Sequence, residues 1–250
     1  MKLPPQRLGK VPLERALSKL GVASRTVARG LILAGKVTVG GEVVRDPLFA
    51  LTPEKERLTV DGVRVGAQAW RTILLHKPRG VVTTRSDEKG RRTVFDLLGP
   101  APGHLAPVGR LDFATSGLLL LTNDTQLANW LTDPASSVTR IYLVSVRGEV
   151  SDGTAAKLTA GVQDEGELLQ AQAVEVRKRS RRESHLVVQL TEGKNREIRR
   201  MLDGAGHEVL KLKRVSYGGL ELGELAPGAS RELSREEIVK AFPGAPLRPQ

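Results

Sequence analysis

The sequence predicts an α+β protein with two domains. Helical and strand patterns follow one another without the strict alternation that a doubly wound parallel sheet requires. Glycine pairs and Asp-Gly steps between short alternating runs indicate β-hairpins, which join antiparallel neighbours. The pattern also breaks and restarts near residues 68–71. We therefore expect a small domain at residues 8–68 and a larger one at residues 71–242, the latter with a mixed, mainly antiparallel sheet and flanking helices.

The smaller domain is predicted to contain two short helices followed by hairpins. Residues 12–20 place their leucines and an alanine on one helical face. Ser24 is suited to cap a second helix, and Gly35 to end it. The two hairpins are expected to turn at residues 40–41 and 61–62, which read Gly-Gly and Asp-Gly.

The larger domain shows both periodicities in turn. Strands are expected at residues 72–78, 81–84, 118–121, 140–148, 173–180 and 185–192. Helices are expected at residues 124–133, 151–161, 195–206 and 233–242, the last beginning with Ser234 and Glu237 at capping-box spacing.

Composition favours a nucleic-acid partner. The 250 residues carry 39 Lys and Arg against 28 Asp and Glu, a formal net charge of +11. An excess of this size suits an acidic polymer.

The chain has no cysteine, which excludes disulfides and thiolate metal sites and fits a reducing compartment. No apolar stretch approaches the roughly 18 residues of a spanning helix. We therefore expect a cytoplasmic protein that does not associate with membranes.

The sequence lacks the usual motifs for cofactors. It has no glycine-rich phosphate loop, so no nucleotide cofactor is expected. The four histidines, His76, His104, His185 and His207, have no metal-ligand spacing. We expect a monomer without cofactor or metal, in which any chemistry depends on carboxylate, tyrosine and arginine.

The segment VGRLDFATSGLLLLTND, residues 108–124, places Asp112 immediately before an apolar run that is typical of a buried strand. A carboxylate beside a core is costly unless it is paired or used. Basic residues cluster in two other places: the predicted helical pair, with Arg15, Arg25 and Arg29, and the segment EGKNREIRR at residues 192–200. By themselves these clusters could be solvated surface or could bind phosphates.

Residues 108–124 resemble the signature of the rRNA pseudouridine synthases of the RsuA/RluB type. Further segments resemble other motifs of the family: LLHKPRGVVTT its first motif, RIYLVSV its tyrosine strand, and the segment from EGKNREIRRM its last core motif. The first domain resembles the αL-type RNA-binding domain of small-subunit ribosomal protein four. One departure is visible, because the usual Ser-Arg-Arg reads SRT at residues 24–26, where Arg29 is the candidate replacement for the missing charge.

The resemblance implies a pseudouridine synthase catalytic domain and a role for each motif residue. Asp112 would be the catalytic aspartate, acting either as nucleophile or as base. Arg199 would be its cationic partner, and Tyr142 would be a catalytic residue that stacks on the target base and assists the final proton removal from carbon. Arg110 would help to hold the extruded nucleotide. The further residues expected to contact RNA are Lys77, Lys194, Arg196, Arg15, Arg25 and Arg29.

The resemblance also implies an RNA substrate. The large-subunit 23S rRNA, in a ribosomal assembly intermediate, is the favoured target, and 16S rRNA is the alternative. A non-catalytic rRNA-binding assembly factor is a third hypothesis, which the presence of aspartate, tyrosine and arginine at their motif positions disfavours.

Overall fold

The computed structural model describes residues 10–53, 55–66, 69–99 and 105–247. Two compact units divide the chain, with the boundary between Trp70 and Arg71. The expected domain ends at residues 8 and 68 lie outside the described residues, as does His104. None of the helices in the described part is long and apolar enough to cross a membrane.

The first unit has the predicted helical pair and both hairpins. Its helices are α1 (Leu13–Lys19) and α2 (Arg25–Leu33). Its strands are β1 (Val11–Pro12), β2 (Val37–Val39), β3 (Glu42–Val43), β4 (Ala50–Leu51), β5 (Leu58–Val60) and β6 (Val63–Val65). Ser24 caps α2 as predicted, its Oγ accepting from the backbone N–H of Val27 at 3.3 Å. The helices bury Leu17 and Ile32 against Val37 and Leu58, which closes a small apolar core.

The second unit is built on one large sheet. The strands of this unit are β7 (Thr72–Lys77), β8 (Ala106–Pro107), β9 (Ser116–Thr122), β10 (Arg140–Arg147), β11 (Val162–Asp164), β12 (Glu167–Leu169), β13 (Ala173–Lys178), β14 (Glu183–Leu190), β15 (Val209–Tyr217), β16 (Leu220–Glu221) and β17 (Ser230–Leu233). Of these, β11 and β12 form a separate two-stranded sheet. The helices of the unit are α3 (Thr125–Thr132), α4 (Asp152–Ala160), α5 (Glu197–Gly204) and α6 (Arg235–Ala241). The predicted capping box at Ser234 and Glu237 is confirmed.

The main path of the sheet runs β13-β14-β10-β15-β9-β7-β17, with β16 beside β15 and β8 beside β9. Its pairs are antiparallel except β9 with β15, which are parallel. This confirms the mixed, mainly antiparallel sheet. Strand β9 is buried along almost its whole length, as its run of leucines predicts.

The parallel pairing depends on Gly117, which lies opposite Arg214. Gly117 has φ +114°, and a Cβ atom there would lie 2.1 Å from the carbonyl oxygen of Arg214. Only glycine allows the two backbones to approach this closely. This residue therefore joins the two halves of the sheet beside the loop that carries Asp112.

Two sequence predictions were wrong in detail. Residues 81–84 do not form a strand: Val82 makes a single bridge to Thr93. The Thr83 hydroxyl instead donates to the Leu111 carbonyl at 2.7 Å, so the segment supports a neighbouring loop. The predicted helix over residues 195–206 begins only at Glu197, because Arg196 has φ +49° and lies outside it.

Candidate active site

The loop between β8 and β9, residues 108–115, carries Asp112 and is held from several sides. Its first residue, Val108, donates its backbone N–H to Leu120 of β9 at 2.8 Å. The hydrogen bond from the Thr83 hydroxyl to the Leu111 carbonyl holds the middle of the loop. The backbone N–H of Thr115 donates to the carbonyl of Asp112 at 3.0 Å and closes a turn. These bonds fix the backbone, so the Asp112 side chain, about one third exposed, has a defined position.

Lys77, at the end of β7, is the main support of this loop. Its side chain is fully buried, and Nζ donates to the carbonyl oxygens of Asp112 at 2.9 Å and Thr115 at 2.8 Å. A third bond goes to Pro78 at 3.2 Å. Burial lowers the pKa of Lys77 from 10.5 to about 8, while the nearby Asp112 charge opposes that shift.

The expectation that Lys77 contacts RNA is therefore wrong. An ammonium group without accessible surface, already donating to three carbonyls, has no donor left for a phosphate. A single basic residue in a sequence does not show whether its charge points outward, which is why this residue was misassigned.

Arg196 provides the ion pair for Asp112. Its Nη1 lies 4.0 Å from Asp112 Oδ2, and its side chain is half exposed. The residue adopts the left-handed backbone conformation directly before α5. A residue other than glycine rarely adopts this conformation, and such strain is concentrated at functional sites. The turn directs the guanidinium toward Asp112 rather than along the helix.

The structure places Arg199 differently from the sequence expectation of a direct pair with Asp112. Its guanidinium donates to the carbonyls of Ala114 at 3.2 Å and Val209 at 3.3 Å. Desolvation and the nearby Arg196 charge lower the pKa of Arg199, while Asp112 raises it. Arg199 thus supports the loop backbone and acts on the carboxylate at longer range. Arg200 binds Asp164 and Glu167 instead.

Asp112, Tyr142 and Arg196 line one cleft of about 360 Å³. Tyr142 is largely buried on β10, opposite Arg214 of β15. Directly opposite residues of paired strands project from the same face of the sheet. The cleft therefore combines a carboxylate, an aromatic ring and several cations. Among the described residues, no cluster of three or more His, Asp or Glu could hold a metal ion.

Three further residues that line this cleft were not among the candidates from the sequence: Arg140, Arg214 and Tyr217. Tyr217 is buried, and the guanidinium groups of Arg140 and Arg214 each lie 4.9 Å from its ring centre. Its hydroxyl donates to the carbonyl of Leu131 at 2.5 Å. Arg140 binds three backbone carbonyls, of Val138, Thr191 and Leu131. The only sequence signal was that Tyr217 is the second of two tyrosines.

The remaining basic candidates differ in accessibility. Arg110 is exposed at the cleft and forms no hydrogen bond or ion pair with the residues that the structure describes. Lys194 also lines the cleft, but its Nζ already binds Glu192 at 2.6 Å and the Leu168 carbonyl at 2.7 Å. In the first unit, Arg15, Arg25 and Arg29 are exposed.

Comparison with known proteins identifies the class that this fold and cleft define. Residues 71–203 match the family model described as RNA pseudouridylate synthase, and residues 11–58 match the S4 domain. The chain belongs to the RNA pseudouridylate synthase family, as its motifs predicted.

Relatives that are similar over nearly the whole chain include synthases with more specific names. The ribosomal large subunit pseudouridine synthase B of Bacillus subtilis is 39% identical over 231 residues, covering 91% of this chain and 94% of the relative. An RNA pseudouridine synthase of Aquifex aeolicus is 37% identical over 241 residues, covering 96% of each chain. A crystal structure of a pseudouridylate synthase superposes with a TM-score of 0.65 at 24% identity, covering 92% of this chain and 99% of that one, which confirms the fold. The chain is thus similar along nearly its whole length to proteins named as pseudouridine synthases.

Proposed function

We propose that this protein converts a uridine of large-subunit rRNA into pseudouridine, with Asp112 as the catalytic carboxylate. The observation that carries the proposal is the supported position of Asp112, beside Arg196 and in the cleft that Tyr142 also lines. The large-subunit target is supported by the similarity to the Bacillus subtilis synthase B.

The size of the cleft suits one extruded nucleotide. Its volume of about 360 Å³ lies at the lower end of small-ligand pockets and is too small for a base-paired stem. A uridine must therefore leave its stack to reach Asp112, as enzymes that act on a base generally require. The Tyr142 ring offers a surface for the flat face of the base, and Arg110 offers a charge for a flanking phosphate.

The reaction breaks the bond between ribose C1′ and uracil N1, turns the base and joins C1′ to C5. The proton of C5 leaves and N1 gains one, so atoms balance without a redox agent. An ionised Asp112 can attack the sugar or remove a proton from it. Arg196 stabilises the charged carboxylate, while Lys77 and Arg199 hold the backbone that carries it.

The two units have different roles in this proposal. We infer that residues 8–68 bind RNA through exposed basic residues, including Arg15, Arg25 and Arg29, because phosphate contacts position a protein without taking part in chemistry. Residues 71–242 carry the reaction. Arg110 and Arg196 add phosphate contacts at the cleft itself.

The test is Asp112→Asn, which retains the shape of the side chain and removes its charge. We expect release of tritium from rRNA labelled at uracil C5 to fall below detection, with RNA affinity within a few-fold of the wild type. The matched control is Asp203→Asn, an exposed carboxylate on α5, which should turn over normally. Near-normal turnover by Asp112→Asn would refute the catalytic assignment. Loss of both turnover and binding would support a binding protein instead.

Mapping pseudouridines in rRNA from cells with and without the gene tests the target. We expect one or more sites to disappear from large-subunit rRNA. Loss confined to the small-subunit rRNA would refute the large-subunit proposal and support the alternative target. Unchanged maps would refute both.

A further inference from the structure

Glu197, the first residue of α5, is a buried acid in the wall of the cleft. It is only 3% exposed and follows Arg196 directly. Its Oε2 accepts the backbone N–H of Lys194 at 3.1 Å. Its Oε1 is buried and receives no hydrogen bond from any residue in the described part of the chain. Such an oxygen is costly if the group is ionised, because nothing compensates its charge.

A second carboxyl group provides the explanation. Glu192 binds the Lys194 ammonium at 2.6 Å, so that pair is neutral as a whole. The Glu192 carboxyl group lies within reach of Glu197, and a hydrogen bond can join two carboxyl groups only when one of them carries a proton. Burial, followed by the nearby Glu192 charge, raises the pKa of Glu197 from 4.5 to about 7. The proton therefore resides on Glu197, and Glu192 retains the ion pair.

The other charged groups near α5 do not replace this proton. Helix α5 packs on β11 and β15. On the β11 side, Asp164 and the neighbouring Glu167 of β12 are bound by Arg200. The cations of β15 are Lys211, Lys213 and Arg214, of which Arg214 directs its Nε to the Leu118 carbonyl at 2.7 Å. The adjacent Arg196 is directed toward Asp112.

We propose that Glu197 is a positioning residue that works in its protonated form: its O–H donates to the Glu192 carboxylate and closes the turn of residues 192–197, which holds Arg196 against Asp112. This inference rests on the proposed role of Asp112. The same carboxyl group accepts the backbone N–H of Lys194 at Oε2, so with the proton in place both of its oxygens hold the turn. That closure fixes the left-handed backbone of Arg196, which has φ +49°.

Loss of the proton would open this arrangement. Two carboxylates would then face each other with one ammonium between them, and like charges at hydrogen-bonding distance repel. The turn would relax, Arg196 would leave the strained conformation, and Asp112 would lose its ion-pair partner. Catalysis should therefore decline as pH rises through about 7, while RNA binding, to which Arg196 contributes only one of several cations, should change much less.

The experiment compares the pH profiles of single-turnover rates in the full chain and in Glu197→Gln. The amide of glutamine donates to Glu192 at every pH. We expect the wild-type rate to fall about tenfold between roughly pH 6 and 8, and the glutamine variant to remain flat. Glu167→Gln, which alters an exposed acid of β12, should keep the wild-type profile. RNA affinity is measured over the same pH range in each case.

A second variant provides an independent check. Glu192→Gln places the donor on the other side of the pair, so Glu197 can ionise without repulsion and the profile should again be flat. A tenfold fall that persists in both variants would overturn the inference. If the wild type failed to release tritium from rRNA at any pH, the proposed function would fail, which is a different result. If Glu197→Gln does not fold, the Glu192→Gln profile decides the question.

Discussion

Replacing Lys77 by methionine tests whether the buried ammonium supports the catalytic loop. Methionine is of similar length and fills the apolar part of the site, but it cannot donate to the carbonyls of Pro78, Asp112 and Thr115. The change therefore removes three hydrogen bonds from a fully buried position, and only the Asp112 carbonyl keeps another described donor, the backbone N–H of Thr115.

The expected loss of stability follows from two opposing quantities. Hydrogen bonds from a charged donor contribute about 1.5–3 kcal/mol each, so three give roughly 5–9 kcal/mol. Methionine also relieves the desolvation of the ammonium. The fall in the pKa of Lys77 from 10.5 to about 8 corresponds to about 3 kcal/mol of that cost. The net loss is about 4 kcal/mol, which lowers Tm by roughly 8–16 °C in a protein of this size.

Thermal unfolding, single-turnover rate and RNA affinity are measured together. We expect a rate roughly 100-fold lower, because the Asp112 carboxylate is displaced, with RNA affinity nearly unchanged in the folded fraction. Arg110→Met is the matched control and should show the opposite pattern, with unchanged Tm and weaker RNA binding, since Arg110 is exposed. A Lys77→Met protein with wild-type Tm and reduced affinity would refute the structural role.

Four further outcomes are expected. Gly117→Ala should lower Tm by more than about 8 °C or prevent folding, because its Cβ would clash with the Arg214 backbone. The control Gly90→Ala, which also has a positive φ (+67°) but lies in open space, should lower the free energy of unfolding by about 1 kcal/mol. Equal shifts in Tm for the two variants would contradict the close approach at Gly117. Arg196→Leu should lower the catalytic rate with little change in Tm, whereas Arg199→Leu should lower Tm. The opposite result for the two variants would show that Arg199, and not Arg196, forms the ion pair with Asp112. Removing residues 1–68 should weaken rRNA binding, while residues 71–250 still fold. The slope of log affinity against log salt concentration should become shallower by up to about 2. An unchanged slope would exclude phosphate contacts in the first unit. The raised pKa of Glu197 contributes stability that is full below about pH 4.5 and is lost as pH rises through about 7. The Tm of the wild type should therefore fall over this pH range relative to that of Glu197→Gln. Parallel curves of Tm against pH for the two proteins would contradict the raised pKa.

Local patterns were sufficient for most of the secondary structure and for the catalytic candidate. Ser24 capped its helix as predicted, and the leucines of β9 formed a buried strand. Caps, turns and side-chain periodicity depend on residues within one or two turns of each other, so a sequence displays them directly. The motif around Asp112 likewise pointed to the carboxylate, because a charge beside an apolar run is unusual in itself.

Only the tertiary structure decided which partner each charged side chain takes. Lys77 looks like any surface lysine until β7 places it beneath a loop 35 residues away in sequence. Arg196 and Arg199 are equivalent candidates until the left-handed turn directs one to Asp112, while the other donates to Ala114, 85 residues away. Electrostatic pairing depends on distance in space and on burial, and neither is set by local periodicity. The sequence therefore determined the elements and the candidate catalytic carboxylate, and the fold determined which cations support that carboxylate and which one faces it.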